Sequence, residues 1–174
     1  MPVTADIEEA HAQSYDACHW GSLRKDGRLI MAVKVKRITL WRKELENRAG
    51  TLAGTLEPLA KAGADLQIVM GYRYPGDGAK AAVELYPIGN KKATQAAQGA
   101  GLMPSTIPAL LVEGDNRAAL GHGISKAIAE AGVNLDFLVA QVIGRKYAAV
   151  IGFENEADAD NAATLIKKAA QKRR

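Results

Sequence analysis

The chain has 174 residues, 48% of them apolar and 24% charged, with a formal net charge of +4. That profile excludes collagen, a disordered tail and a membrane span, because apolar runs such as Ala109 to Val112 and Ala148 to Ile151 fall far short of the roughly 18 residues a spanning helix needs. One cysteine, Cys18, forbids an internal disulfide and fits a reducing compartment.

Residues 1–30 stand apart. Asp6, Glu8, Glu9, Asp16 and Asp26 against Arg24, Lys25 and Arg28 make this stretch net −2, and no strand pattern runs through it. Thr4 to Ser14 has the spacing of a short helix around Ile7, marginal without a packing partner. Early acids and the lack of an apolar stretch exclude a secretory signal, which points to the cytoplasm. A regular globular pattern begins just after Met31, so residues 1–30 read as an N-terminal extension, with Met31 as an alternative start. His11, Cys18 and His19 fall here without the short repeated spacing of a metal site, and neither metal nor cofactor is expected.

Val33, Val35, Ile38 and Leu40 then mark a strand with one phase slip at Arg37, and Trp41 to Asn47 reads as a charged loop. Leu52, Leu56 and Leu59 lie on one face of a helix that Gly63 stops. Leu66 to Tyr74 and Lys80 to Tyr86 are strands joined by Pro75-Gly76-Asp77-Gly78, a natural hairpin turn, and Lys91 to Ala100 is a second helix. The same order returns as strand Ala109 to Glu113, helix Ala118 to Ala131, strands Leu135 to Ile143 and Tyr147 to Phe153 around Gly144-Arg145-Lys146, and helix Ala157 to Ala170. Lys167, Lys168, Lys172, Arg173 and Arg174 end the chain, 171–174 forming a basic tail; everything before these five charges is −1, so the basic total is a helix-end feature.

The repetition is visible in the residues. Glu46-Asn47-Arg48-Ala49-Gly50 is answered 69 positions later by Asp115-Asn116-Arg117-Ala118-Ala119, and Ala62-Gly63-Ala64-Asp65-Leu66 by Ala131-Gly132-Val133-Asn134-Leu135. Two units are expected, 33–101 and 108–170. A strand, helix, hairpin, helix unit predicts an α+β, ferredoxin-like (split βαβ) plan with an antiparallel sheet and both helices on one face. Only Leu102 to Ile107 remain for a fourth strand in the first unit and the chain stops soon after Ala170, so that strand is short or absent. Units of this size bury little surface alone, and the copies are expected to pair their sheets or helices.

With Asn47-Arg48-Ala49-Gly50-Thr51-Leu52 entering the first helix and Asp65-Leu66 following it, the chain resembles the ACT domain, a regulatory amino-acid-binding module. The second copy resembles it through Asp115-Asn116-Arg117-Ala118-Ala119-Leu120 and Asn134-Leu135, so the whole resembles a tandem ACT protein over residues 33–170. The resemblance implies a non-catalytic module that binds a free amino acid between paired units, a homodimer formed by sheet extension, and an output through an unidentified enzyme or regulator. Independently, a helix start offers unpaired N–H groups and partial positive charge to a carboxylate, and Gly50 lets it approach. Asp65 and Asn134 are candidates for the ammonium. Local structure alone accounts for the same residues as well, with Gly50 as an N-cap, Asn47 as an Asx-type turn former and Asp65 as a solvated strand start. Arg48 and Arg117 read as exposed loop residues able to pair with an anion. His122, between Gly121 and Gly123, reads as a packing site or a pH-sensitive ligand contact.

Two other classes fit less well. RNA-recognition modules share the plan but stack bases on aromatic residues of the central strands. Here those strands read Ala81-Ala82-Val83-Glu84-Leu85 and Ala148-Ala149-Val150-Ile151-Gly152. An enzyme would rest on His122 with Glu113 and Asp115 nearby, without a phosphate loop, HExxH or CxxC.

Overall fold

A computed structural model of the chain describes residues 33–171; the extension, its three candidate metal ligands and the end of the basic tail lie outside the described residues. The described residues build two four-stranded antiparallel sheets and four helices. Its elements are β1 (Lys34–Ile38), β2 (Trp41–Glu46), α1 (Thr51–Lys61), β3 (Ile68–Arg73), β4 (Lys80–Tyr86), α2 (Lys91–Gly99) and β5 (Met103–Pro104), then β6 (Ala109–Asp115), α3 (Leu120–Glu130), β7 (Phe137–Ile143), β8 (Lys146–Gly152) and α4 (Glu156–Gln171).

The stretch expected to be one strand and a charged loop is two strands that part company at Thr39 and Leu40. β2 carries Trp41 and Leu45 into the core below its helices, while Arg42 and Glu44 point to the other face. Its charges therefore belong to a strand whose second face is polar, and they disguised it as a loop. β1 leaves the first unit altogether and pairs with β6, from Lys34 opposite Glu113 to Ile38 opposite Ala109. Sheet orders are thus β3-β4-β2-β5 and β1-β6-β8-β7.

The fourth strand is short in the first sheet, where β5 contributes two residues against β2. In the second it is β1, supplied from before the first repeat. The first sheet is thus built from consecutive strands, β2 to β5, whereas the second takes β1 from ahead of the first sheet, so the first sheet's stretch of chain lies between two strands of the second. Arg37 fastens β1 further by pairing with Glu156 and, at 3.1 Å, Asp160 on α4.

Each sheet has its helices on one face. Leu59, Val83, Leu85, Ala97 and Trp41 pack under α1 and α2; Leu110, Ile124, Ile128, Ile151, Phe153 and Ile166 do so under α3 and α4. The helix-free faces cover one another, with Ile38, Leu40, Leu111 and Val150 buried against Ile68, Met70 and Tyr86. The sheets, not the helices, complete the shared core. This also covers the face on which an RNA-recognition module would stack bases.

The helix starts keep the repeat in register. Gly50 precedes α1 at φ 88° and Ala119 precedes α3 at φ 62°, both left-handed. A Cβ makes that conformation cost about 1–2 kcal/mol. Part of this returns through the greater unfolded-state freedom of glycine, so Ala119→Gly is expected to stabilise the protein by about 0.5–1 kcal/mol. Urea unfolding checks it.

Candidate functional site

The loop from β2 to α1 is held by its own repeat-conserved bonds. Asn47 N–H donates to Ala79 O at 2.8 Å and Asn116 N–H to Arg145 O at 2.7 Å, tying each loop to the following hairpin. Asn47 adds a side-chain bond from Nδ2 to Gly78 O. It therefore clamps two loops instead of forming a local Asx turn. Thr51 Oγ1 donates to Arg48 O at 2.9 Å.

What distinguishes α1 and α3 is what their starts lack. Before α2, Asn90 Oδ1 accepts from Ala93 N–H, and before α4, Asn155 Oδ1 accepts from Asp158 N–H. Gly50 and Ala119 supply no side-chain cap. Thr51 and Leu120 N–H donate to Arg48 O and Arg117 O, and Gly54 and Gly123 N–H to Gly50 O and Ala119 O. The N–H groups of Leu52 and Ala53 in α1 and of Gly121 and His122 in α3, with the positive end of each helix dipole, are therefore the ones left for solvent or an anion. Glycine recurs inside both first turns, at Gly54 and Gly123, where an added Cβ would meet no atom within 4 Å.

Beside the α1 start lies a cavity of about 230 Å³, lined by Asn47, Arg48, Thr51 and Leu52 with Gly71 and Arg73 of β3 and Ala81 and Val83 of β4. Ala49 is exposed next to Gly50. Arg48 is exposed and lies 3.2 Å from Glu46.

Other candidates fall elsewhere. Asp65 and Leu66 follow the C-terminus of α1, whose eleven residues separate the helix ends by about 16 Å. They sit at the opposite end of the layer from Gly50 and do not line the cavity. The same geometry moves Asn134 and Leu135 away from the start of α3. The carboxylate that lines the cavity beside the α1 start is Glu46 of β2.

The second copy is built differently. Arg117, expected to be exposed, is half-buried and donates to Ala169 O at 3.1 Å near the end of α4. Asp115 pairs with Lys146 at 2.7 Å. Asn116 and Ala118 are exposed, whereas Leu120, standing where Thr51 stands in the first copy, is 4% exposed and packs into the core. His122 is exposed on the first turn of α3.

Gly121 and Gly123 do not serve close packing, since a Cβ on either would meet nothing within 4 Å. Gly123→Ala is accordingly expected to raise stability by about 0.5–1 kcal/mol through helix propensity. Thermal unfolding tests this. If the bare turn admits a ligand, the same substitution weakens binding at α3, which calorimetry reads separately.

Sequence pattern missed a polar cluster on the inner face of the first sheet. Glu84 is fully buried on β4. Its Oε1 accepts from Tyr72 Oη at 2.9 Å and lies 3.8 Å from Arg42, while its Oε2 has no partner among the described residues. Tyr74 donates to Glu44 at 2.8 Å and receives a short bond from Arg42. Burial, then the bond to Glu84 and its charge, push the Tyr72 hydroxyl up to about 12. Burial works against the charge of Arg42, but the bond to Tyr74 and the neighbouring Tyr72, Tyr74 and Glu84 more than offset it and raise its pKa. The alternation Arg42, Glu44 opposite Glu84 was the available signal, hidden by reading β2 as a loop.

Among the described residues no group of three His, Cys, Asp or Glu side chains is arranged to hold a metal ion, and no helix is long and apolar enough to cross a membrane.

No protein-family model matches the chain, and no curated protein matches it in sequence. Solved structures do match in fold. Protein BT0572 from Bacteroides thetaiotaomicron aligns with a TM-score of 0.63 at 16% identity, over 77% of this chain and 89% of that one. The ligand-free regulatory subunit of aspartate kinase from Thermus thermophilus aligns with a TM-score of 0.53 at 15% identity, over 80% and 97%. The corresponding subunit from Thermus flavus gives 0.54 at 14% identity over the same shares. The fold is the α+β, ferredoxin-like ACT-type arrangement of those structures.

Proposed function

We propose that the chain is a non-catalytic regulatory module that binds a free amino acid, or a similar small carboxylate, at the start of α1 and signals through assembly. The contrast in capping carries this reading: α2 and α4 have Asn caps, whereas α1 and α3 begin at left-handed residues without one. The ligand carboxylate sits on the bare first turn of α1, facing the cavity beside Asn47, Arg48 and Thr51. The likeness in fold to regulatory subunits of aspartate kinase supports the role and suggests an enzyme or regulator as partner.

Glu46, which lines the same cavity, is one acceptor for the ligand ammonium, and assembly can add a second. β3 and β7 are edge strands. Val69 on β3 and Leu138, Val139, Val142 and Ile143 on β7 are exposed, Ile143 to 70%, and β7 carries no charged residue to discourage pairing. A second copy adding its edge to either sheet brings a neighbouring strand up to a helix start and can furnish that further acceptor. The coupling is then a ligand that favours the paired state.

Calorimetry with the twenty amino acids, paired with light scattering, tests the proposal. Saturable heat for one or a few of them, a change in mass on binding, and at least a tenfold loss in Gly50→Val with unchanged circular dichroism are expected. No heat for any amino acid overturns it.

A further inference from the structure

The two sheets present the same ladder positions to the space between them but fill them with different chemistry. In the first sheet Glu44, Ala82 and Tyr72 form one cross-strand row, and Arg42, Glu84 and Met70 form the next. The second sheet repeats these rows as Glu113, Ala148, Gln141 and Leu111, Val150, Val139, with Lys34 and Lys36 of β1 heading them beside Glu113 and Leu111. The acid at the head of the first row is kept, Glu44 becoming Glu113. The cation and buried acid of the second row are replaced, Arg42 by Leu111 and Glu84 by Val150.

The first patch closes on itself. The Arg42 guanidinium lies 3.6 Å from Glu44 and 3.8 Å from Glu84, and its carbon stands 5.9 Å from the centre of the Tyr74 ring. The second patch has no such arginine and opens into a cleft of about 350 Å³ between the sheets, bounded on the far side by Gln67 and by Ile68 to Met70 of β3. That volume is at the small end of the roughly 300–1,000 Å³ typical of ligand sites.

We propose that this inter-sheet cleft binds a small organic cation, an alkylguanidinium or alkylammonium, whose charge pairs with Glu113 and whose apolar body lies on Leu111, Val139 and Val150. The ligand takes, beside Glu113, the part that Arg42 plays beside Glu44. Gln67 and Gln141 offer amide oxygens to the remaining N–H groups at the mouth. Glu113 is half-buried, so its attraction for a cation is less screened than at an open surface. Lys34 stands directly opposite Glu113 in the β1–β6 register, and Lys36, whose ammonium donates to Tyr86 Oη at 2.6 Å, also feels the charge of Glu113; neither lysine lines the cleft, so a ligand reaches Glu113 from the side away from β1. The cleft lies between the sheets, apart from the start of α1, so this inference is independent of amino-acid binding there.

The test is a heteronuclear NMR titration of the full chain with butylguanidinium, using its neutral isostere butylurea as control. Saturable shifts at the amides of Gln67 to Met70 and Val139 to Gln141 are expected, at least tenfold weaker for butylurea and for Glu113→Gln. Should Glu113→Gln fold poorly, Val139→Trp, which fills the cleft from an exposed position on the edge strand, gives the same loss. Shifts that do not saturate, that centre elsewhere, or that survive both substitutions overturn the proposal. Amides of Gly50 to Ala53 report the helix-start site in the same spectra, which separates failure here from failure of the amino-acid reading.

Discussion

Gly152→Val is expected to destabilise the protein by about 3 kcal/mol, although valine is a far better strand former than glycine. Gly152 ends β8, a central strand, and pairs with both Phe137 and Ala109. The Phe137 ring lies across it, so that a Cβ there would stand 2.5 Å from Cδ1 and 2.8 Å from Cζ. The ring cannot stay. Phe137 also packs into the layer between the sheets with Ile38, Ala109 and Val150, and moving it forfeits that contact. Propensity and packing thus predict opposite signs, and packing is larger: strand propensity spans about 1 kcal/mol, whereas overpacking with a displaced aromatic costs about 1–3 kcal/mol before the lost burial is added. Urea unfolding of Gly152→Val gives the size. Combining it with Phe137→Ala identifies the cause, because the double variant should fall short of the summed losses by at least about 1 kcal/mol. A stabilised or unchanged Gly152→Val would show that the ring does not hold this position.

The repeat was legible because each unit states it locally. Asn-Arg-Ala before the helix, the Leu52, Leu56, Leu59 face, and Gly63 and Gly132 behind it are set within a few residues of one another. Strand partnership was not legible in the same way. Nothing in Lys34 to Ile38 says that β1 pairs with β6, more than seventy positions on, since its alternation suits either sheet. Trp41 to Glu46 failed as a strand because the face expected to meet solvent or core meets another sheet, where Arg42 and Glu44 find Glu84, Tyr72 and Tyr74. The site divides along the same line. Gly50, Asn47 and Thr51 stand together because they are neighbours in sequence, while Asp65 was placed with them by adjacency to the strand and is removed by the length of the helix between. Arg117 was misjudged for a related reason, its partner being a carbonyl fifty-two residues away.

Glu84→Ala is expected to cost about 2–4 kcal/mol, and Glu84→Gln to stay within about 1 kcal/mol of the native protein. Alanine removes a fully buried side chain, leaves the Tyr72 hydroxyl without its acceptor, and strips one of two carboxylates from Arg42. Glutamine keeps the volume and the acceptor for Tyr72; it gives up the attraction to Arg42 while relieving the desolvation of a carboxylate whose second oxygen has no partner among the described residues. The phenol provides a second readout. Its ordinary pKa near 10 is raised to about 12 in the folded protein, by burial first and by Glu84 next. Between these values the unfolded chain gives up the Tyr72 proton and the folded one keeps it, so the unfolded state binds fewer protons and stability falls as pH rises. The contribution is fully present below pH 10 and is lost on the way to about pH 12. Denaturant midpoints measured across that window should therefore decline in the native protein, and more shallowly in Glu84→Gln, where burial and the retained amide acceptor still hold the proton on Tyr72 but the carboxylate charge no longer does. Tyr72→Phe should remove the decline that belongs to this residue. An equally steep decline in Glu84→Gln would mean that the carboxylate does not act on the phenol, and that the inner-face cluster is an array of neighbours without electrostatic coupling.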